Sequence, residues 1–389
     1  MPATDFNKAV PPLLALTGIF FLNFLTRIIL SPFLIFILED FELTKAQAGQ
    51  LFLILSLGYS IALLGSTLVS SRIAHGRVVV ISALGISACL LLAAVSPSIL
   101  WLRLSLLGAG LFGGLYFPSG FTLLTSMVNP RHLGKAIAIH EIAPNLSFVT
   151  APLLAEAFIR TGLGWRWMLF FVAIYALVSY FLFKKFCRCG QEKSQPPNPS
   201  GYFKVVSNPA FWALVLFFSL AVGSTQGVFA QTPLYLVTGH DLDSRFANYL
   251  LSISRVSGLF LVFWAGLLVD RLGVQRALLI FMSLTGLWTM ALGFFSGKLL
   301  VAAVIIQPTM ASCYFPAGFS ALSRCFSPES RPIAISIIVP TAVLAGGGLI
   351  PTMLGYFGDM EMFAMGFVLL GLIILLSLTA MPLLREETR

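Results

Sequence analysis

Apolar runs dominate the chain, and short polar breaks divide them. A helix that crosses the hydrocarbon core needs roughly 20 mostly apolar residues, and about twelve stretches meet that length. They run over residues 11–38, 46–71, 77–96, 99–128, 133–159, 165–185, 209–237, 246–269, 276–295, 298–324, 332–357 and 362–384. Each reads as a helix hydrophobic on all sides, the pattern of a segment solvated by lipid. Almost nothing remains for an extramembrane domain, so the pattern predicts an all-α polytopic membrane protein with twelve spanning helices.

The breaks are not equivalent. Arg72, His75 and Arg77 follow span 2; Arg131 and Lys135 follow span 4; Lys184, Lys185, Arg188, Lys193 and Lys204 follow span 6; Arg271 and Arg276 follow span 8; Arg324 and Arg331 follow span 10. The breaks after odd-numbered spans carry Glu39, Asp40, Glu42, Asp241, Asp243, Asp359 and Glu361. By the positive-inside rule both termini and the even-numbered loops are cytoplasmic, in a multi-pass protein of the cell (plasma or inner) membrane. The stretch before span 1 has no cleavage-site pattern, so span 1 is expected to be retained.

Composition supports this and removes a rival. Of 389 residues 58% are hydrophobic and 10% charged, against about 25% charged in soluble domains, and the mean hydropathy is +0.94. The net charge of +9 is accounted for by the one-sided loops, so it marks topology and no nucleic-acid partner. None of the five cysteines lies in a loop assigned to the outside, which implies no disulfide framework. Cys187 and Cys189 form a CxC in a cytoplasmic stretch without further ligands, and they read as part of a plain juxtamembrane loop.

Self-comparison divides the chain. Tyr116 to Ile139 (YFPSGFTLLTSMVNPRHLGKAIAI) aligns without a gap to Tyr314 to Ile337 (YFPAGFSALSRCFSPESRPIAISI), 198 residues later. An even number of spans per copy preserves orientation, so the copies are parallel repeats about an axis along the membrane normal. The expected organisation is a six-helix bundle over 1–189, a cytoplasmic linker over 190–207 rich in Pro and Ser, and a second six-helix bundle over 208–389. The two bundles are expected to flank a central cavity.

A second correspondence carries a family resemblance. Gly266-Leu-Leu-Val-Asp270-Arg271-Leu-Gly273-Val-Gln-Arg276 follows span 8, and Ser71-Arg72-Ile-Ala-His-Gly76-Arg77 stands at the equivalent place after span 2. This resembles the loop signature of the major facilitator superfamily. The first copy departs from it, with Ser71 in place of the acid and the glycine displaced by one. Arg103 ahead of Gly108 and Gly110, and Gly164-Trp165-Arg166-Trp167, resemble further signatures of that family. The resemblance implies a secondary transporter working by alternating access, similar to its organic-anion symporters, with no enzymatic activity and no cofactor. It also implies that Gly266, Asp270, Arg271, Gly273, Arg276 and Arg72 form a gating latch. On physical grounds Asp270 would accept hydrogen bonds at a neighbouring helix N-terminus while the arginines face the cytoplasm.

Charges inside spans carry the candidate chemistry, because each costs several kcal/mol to hold in lipid. Four stand out: Arg27 in span 1, His140 and Glu141 in span 5, and Arg255 in span 8. Asn23 and Thr26 lie within a turn of Arg27, and Asn248 and Ser252 share a helical stripe with Arg255. The Asn23-to-Arg27 pattern resembles one in span 1 of organic-anion members of the family. A guanidinium can bind a carboxylate through two parallel hydrogen bonds, so Arg27 and Arg255 are expected to hold an anionic substrate, helped by Asn23, Asn248, Gln226 and Gln231. Pairing of Arg27 with Glu141, and bonding of Arg255 to helix-end carbonyls, are the structural alternatives. His140 and Glu141 have no counterparts in the second copy, where Ile338 and Val339 stand. A carboxyl in a low-dielectric cavity favours its neutral form and a nearby arginine the charged form, so occupying Arg27 would tip Glu141 toward protonation. That gives a route to proton coupling, with His140 as relay. A zinc HExxH site is excluded because Pro144 occupies the place of the second histidine.

The expectation is therefore a monomer in the bilayer that carries a small organic anion, most simply a carboxylate, in symport with protons or sodium. Export of amphiphilic drugs or lipids on the same fold is the rival. A receptor or membrane enzyme finds no support in any nucleophile constellation, phosphate loop or metal cluster.

Overall fold

The computed structural model describes residues 6–187, 192–194 and 200–384. The chain is all-helical, and eleven of its helical segments are long and apolar enough to cross a membrane. One further helix, Ser244–Leu272, has 29 residues and is about 43 Å long at 1.5 Å per residue. Large apolar side chains, among them Trp101, Trp167, Trp212, Trp264, Leu64 and Phe181, stand exposed around the bundles. Such surface is stable only where the solvent is itself apolar.

Several spans are broken, and proline places each of three breaks in the first half. Pro32, Pro118 and Pro144 have no N–H, so the carbonyls of Ile28, Gly114 and His140 lose their helical donors. Accordingly α1 covers Phe6–Ile28 and gives way to a 3-10 turn and α2, Leu34–Asp40. Beyond α3, Lys45–Arg72, and α4, His75–Ala94, the fourth span is split at Leu115 into α5, Ile99–Gly114, and α6, Tyr116–Met127. The fifth is split at Glu141 into α7, Leu133–His140, and α8, Ile142–Arg160. The helix α9, Trp165–Phe186, completes this half.

The expected irregular linker contains a helix, α10, Ser200–Val206. Its residues 192–194 run along the ends of α3 and α4. Ser194 donates from its backbone to the Ser70 carbonyl at 2.9 Å, and His75 donates from its backbone to the Glu192 carbonyl at 3.1 Å. The His75 ring sits between the hydroxyls of Ser119, at 3.1 Å, and Ser194, at 3.4 Å. Cys189 lies outside the described residues.

The second half uses a different device. Helix α11, Pro209–Val222, continues through a π turn at Gly223–Gly227 into α12, Val228–His240. After α13, Ser244–Leu272, α14, Val274–Phe294, and α15, Gly297–Cys325, the helix α16, Arg331–Leu344, passes through a second π turn at Ala345–Leu349 into α17, Ile350–Asp359. Helix α18, Phe363–Ser377, is the last. The π turns touch backbone to backbone: a side chain on Gly346 would run into Gly223 N and the Ser219 carbonyl, and one on Gly227 would meet the Gly346 carbonyl at 2.6 Å. Only glycine permits that approach.

Two compact units result. One comprises residues 1–36 with 54–197, and the other residues 37–53 with 198–389. The second therefore takes in the start of α3, and the contacts explain why. The Asp359 carboxylate accepts from the backbone amides of Lys45, at 2.6 Å, and Ala46, at 3.0 Å, capping α3. Lys45 Nζ donates to the Gly358 carbonyl at 3.0 Å. Gln231 Nε2 donates to the Pro351 carbonyl at 2.8 Å, and a side chain on Gly49 would collide with both groups.

Candidate functional site

In the first unit Arg27 ends α1 with only 8% of its surface exposed. Its guanidinium lies over the ring of Tyr59 at 4.5 Å and that of Phe24 at 4.9 Å. Asn23, one turn earlier, donates from Nδ2 to the Gly113 carbonyl at 2.7 Å, while its buried Oδ1 receives no hydrogen bond from the described residues. Both expected groups thus face the interior of their own bundle. At Arg27 the geometry displays aromatic stacking, and the ion pair found for Glu141 is with His140, Nδ1 to Oε1 at 3.8 Å. The Glu141 side chain is half exposed, and His140 is almost wholly buried.

In the second unit Arg255, 7% exposed, donates from Nη2 to the Thr225 carbonyl at 2.7 Å and lies over the Phe229 ring at 4.8 Å. Thr225 sits in the π turn, whose i→i+5 pattern leaves carbonyls short of helical donors. Gln307 serves the neighbouring carbonyl, Ser224, at 3.0 Å, and also reaches Thr289 Oγ1 at 3.2 Å. The expected alternative of bonding to main-chain carbonyls is therefore part of what Arg255 does. Beside it lies a cavity of about 10 Å³, lined by Arg255, Gln307, Thr232, Ser254 and apolar side chains. That is room for about one water molecule.

Asn248, two turns before Arg255 on α13, is 1% exposed, and neither polar atom of its amide finds a hydrogen-bond partner among the described residues. A buried carboxamide in that condition costs about 1–3 kcal/mol. Gln226 is half-buried within the π turn. Gln231 is fully buried and tied to Pro351, so its amide nitrogen serves the scaffold.

Arg72, Asp270, Arg271 and Arg276 are at least partly exposed, and no hydrogen bond to the Asp270 carboxylate is found among the described residues. Gly273 has a clear conformational reason: at φ 81° and ψ 157° it joins α13 to α14 in a region open essentially to glycine alone. At Gly266 an added side chain would meet nothing within 4 Å.

One buried acid is absent from the sequence-derived candidates. Glu156, 3% exposed, accepts from Arg160 Nε at 3.0 Å. The i,i+4 spacing of the two is the signal that could have found it, and its place near the end of span 5 is what hides it.

The model of the Major Facilitator Superfamily matches residues 16–305, about three quarters of the 389. The chain belongs to the Major Facilitator Superfamily. Among solved structures, a bacterial homolog of the human lysosomal transporter Spinster, in its inward-facing and occupied conformation, superposes with a TM-score of 0.80 at 17% identity over 96% of each chain. A nucleoside transporter gives 0.79 at 13% identity over 96% of this chain and all of that one. A peptide transporter of the POT family gives 0.78 at 14% identity over 99% of this chain and 98% of that one. At such identities these superfamily members share the fold alone. Membership makes the chain a transporter in the bilayer and not an enzyme, and it agrees with the resemblance that the loop signature carried.

Proposed function

We propose that this superfamily member moves a small organic anion, most simply a carboxylate, across the membrane by alternating access in symport with protons. The supporting observation is a buried arginine in each half of the chain, Arg27 and Arg255, together with the amide of Asn248, on the same helix as Arg255, which has no hydrogen-bond partner among the described residues. A guanidinium can give a carboxylate two parallel hydrogen bonds and repels a cation, so a buried arginine in each half favours an anion over a cation. Arg27 and Arg255 receive the anionic group, and Asn23 and Asn248 add hydrogen bonds to it. Gln226 contributes from the π turn, and Gln231 through its Oε1, which has no hydrogen-bond partner among the described residues. Glu141, with His140, carries the proton. The loop of Gly266, Asp270, Arg271, Gly273 and Arg276, with Arg72 at the equivalent place, works as the gate.

Helix α13, span 8, brings the number of spans to twelve in this reading. The two six-helix halves, 1–189 and 208–389, lie in the cell membrane with the 190–207 linker and both termini cytoplasmic, and the protein works as a monomer. The test is uptake of radiolabelled short carboxylates into liposomes containing the purified protein, with an imposed pH gradient. Uptake is expected to follow the gradient in the native protein. In Glu141→Gln it should lose that dependence while counterflow exchange of the same acid continues. Stabilisation by amphiphiles alone, with no carboxylate taken up, would turn the assignment toward an exporter.

A further inference from the structure

The first half holds a stack of three rings at the break in the fifth span. Phe20 of α1 lies on His140 with ring centres 4.1 Å apart and planes 12° from parallel, and on Tyr116 at 5.5 Å and 18°. The Tyr116 hydroxyl is 3.0 Å from the Leu16 carbonyl and 3.0 Å from His140 Nε2. A carbonyl can only accept, so the tyrosine's single hydrogen lies toward Leu16 and its oxygen turns a lone pair to Nε2. That nitrogen must then carry a hydrogen. The other ring nitrogen, Nδ1, is buried with no hydrogen-bond partner among the described residues, and it faces Glu141 Oε1 at 3.8 Å.

The second half serves as an internal control. Phe218 and Tyr314 stand 198 residues after Phe20 and Tyr116 (218 − 20 and 314 − 116), and Ile338 stands in place of His140. Tyr314 is as buried as Tyr116, yet its hydroxyl finds no partner among the described residues. The aromatic pair is thus kept where Ile338 replaces the histidine, and there its hydroxyl has no imidazole at that position to orient.

We propose that His140 and Glu141 form one proton-binding pair, and that Tyr116 is its positioning residue. By committing its hydrogen to Leu16, Tyr116 holds the imidazole as the Nε2–H tautomer and directs the open Nδ1 at the carboxyl. The pair then holds one proton either on Oε1, as two neutral groups, or on Nδ1, as an ion pair. Moving it between them leaves the net charge inside the bundle unchanged, which spares the cost of an isolated buried charge. Of α1, the Phe20 ring lies on His140, and that helix's charged residues are Lys8, near its start, and Arg27, two turns past Phe20. The α6 helix supplies Tyr116, α7 itself carries Lys135, and the turn before α7 carries Arg131 and His132. The ionisable residues of α8 are Glu156 and Arg160, far along the helix. The use of this pair in transport rests on the proton-coupled reading above; its chemistry does not.

The test is nitrogen NMR of the full-length protein in liposomes with ring-labelled histidine. The chain has four histidines, and a His140→Gln difference spectrum identifies the signal. The native protein should show the neutral Nε2–H tautomer, Tyr116→Phe should show a mixture of tautomers, and the pH curve of the His140 signal should differ between native protein and Glu141→Gln. An Nδ1–H tautomer in the native protein, coincident pH curves, or an unchanged tautomer in Tyr116→Phe would each overturn the proposal. The first two measurements stand even if Tyr116→Phe fails to fold. If the tautomer and the curves hold while uptake ignores the pH gradient, the coupling reading fails and the pair stands. Gradient-driven uptake that is lost in Glu141→Gln, alongside the wrong tautomer, leaves the coupling standing and removes the pair.

Discussion

Replacing Arg255 by methionine separates a brace from a binding group. Its bond to Thr225 is charge-assisted and buried, and losing it costs about 1.5–3 kcal/mol. The Phe229 contact adds about 0.5–2 kcal/mol. Against these stands the penalty of keeping a guanidinium out of water, which even after relaxation is several kcal/mol per ion. The terms nearly cancel, so the ligand-free Arg255→Met protein is expected to unfold within about 2 kcal/mol of the native protein. The response to ligand should differ sharply. A carboxylate at about a hundred times its Kd stabilises the native protein by about 2.7 kcal/mol, and that increment should vanish in Arg255→Met. The assay is thermal unfolding in detergent, with and without a panel of short acids, beside uptake by liposomes. A loss of more than about 4 kcal/mol without ligand would make Arg255 chiefly a support for the π turn. Full retention of carboxylate-induced stabilisation would refute the assignment of the anion to this residue.

Two glycines of one loop motif should behave oppositely. Gly273→Ala, at φ 81°, is expected to cost about 1–3 kcal/mol, whereas Gly266→Ala, with open space around it, should stay within about 0.5 kcal/mol; denaturation midpoints compare them directly. Asp359→Ala removes the acceptor for two amides at the start of α3 and should cost about 0.5–2 kcal/mol. Hydrogen exchange at Lys45 and Ala46 should rise with it, and equal protection in variant and native protein would contradict the cap.

The all-helical, membrane-spanning architecture is legible because lipid imposes a simple rule: a run of about 20 apolar residues spans it as a helix. The same rule draws attention to Arg27, Arg255, His140 and Glu141. What stays hidden depends on backbone choices that hydropathy does not encode. Pro118 and Pro144 split their spans, while Pro308 and Pro316 sit inside an unbroken α15, so proline alone does not announce a break. The π turn at Gly223–Gly227 is invisible to composition, and with it the reason Arg255 and Gln307 point where they do. Tyr116 reads as scaffold in the sequence because it belongs to the repeated segment. Its link to His140 needs the approach of α1, which the local sequence around either residue does not report. For Asn248 the stripe with Arg255 is visible, but the lack of a hydrogen-bond partner for its amide among the described residues is not.

Each π turn holds one residue more than an α-helix of the same rise would need. Removing that one residue from the Gly223–Gly227 turn would let the helix close into regular α form without turning the helix that follows, because the bulge is what absorbs the extra residue. The Ser224 and Thr225 carbonyls would regain main-chain donors, and Gln307 and Arg255 would lose the acceptors they now serve. The turn therefore acts as a socket in the backbone for polar side chains from neighbouring helices.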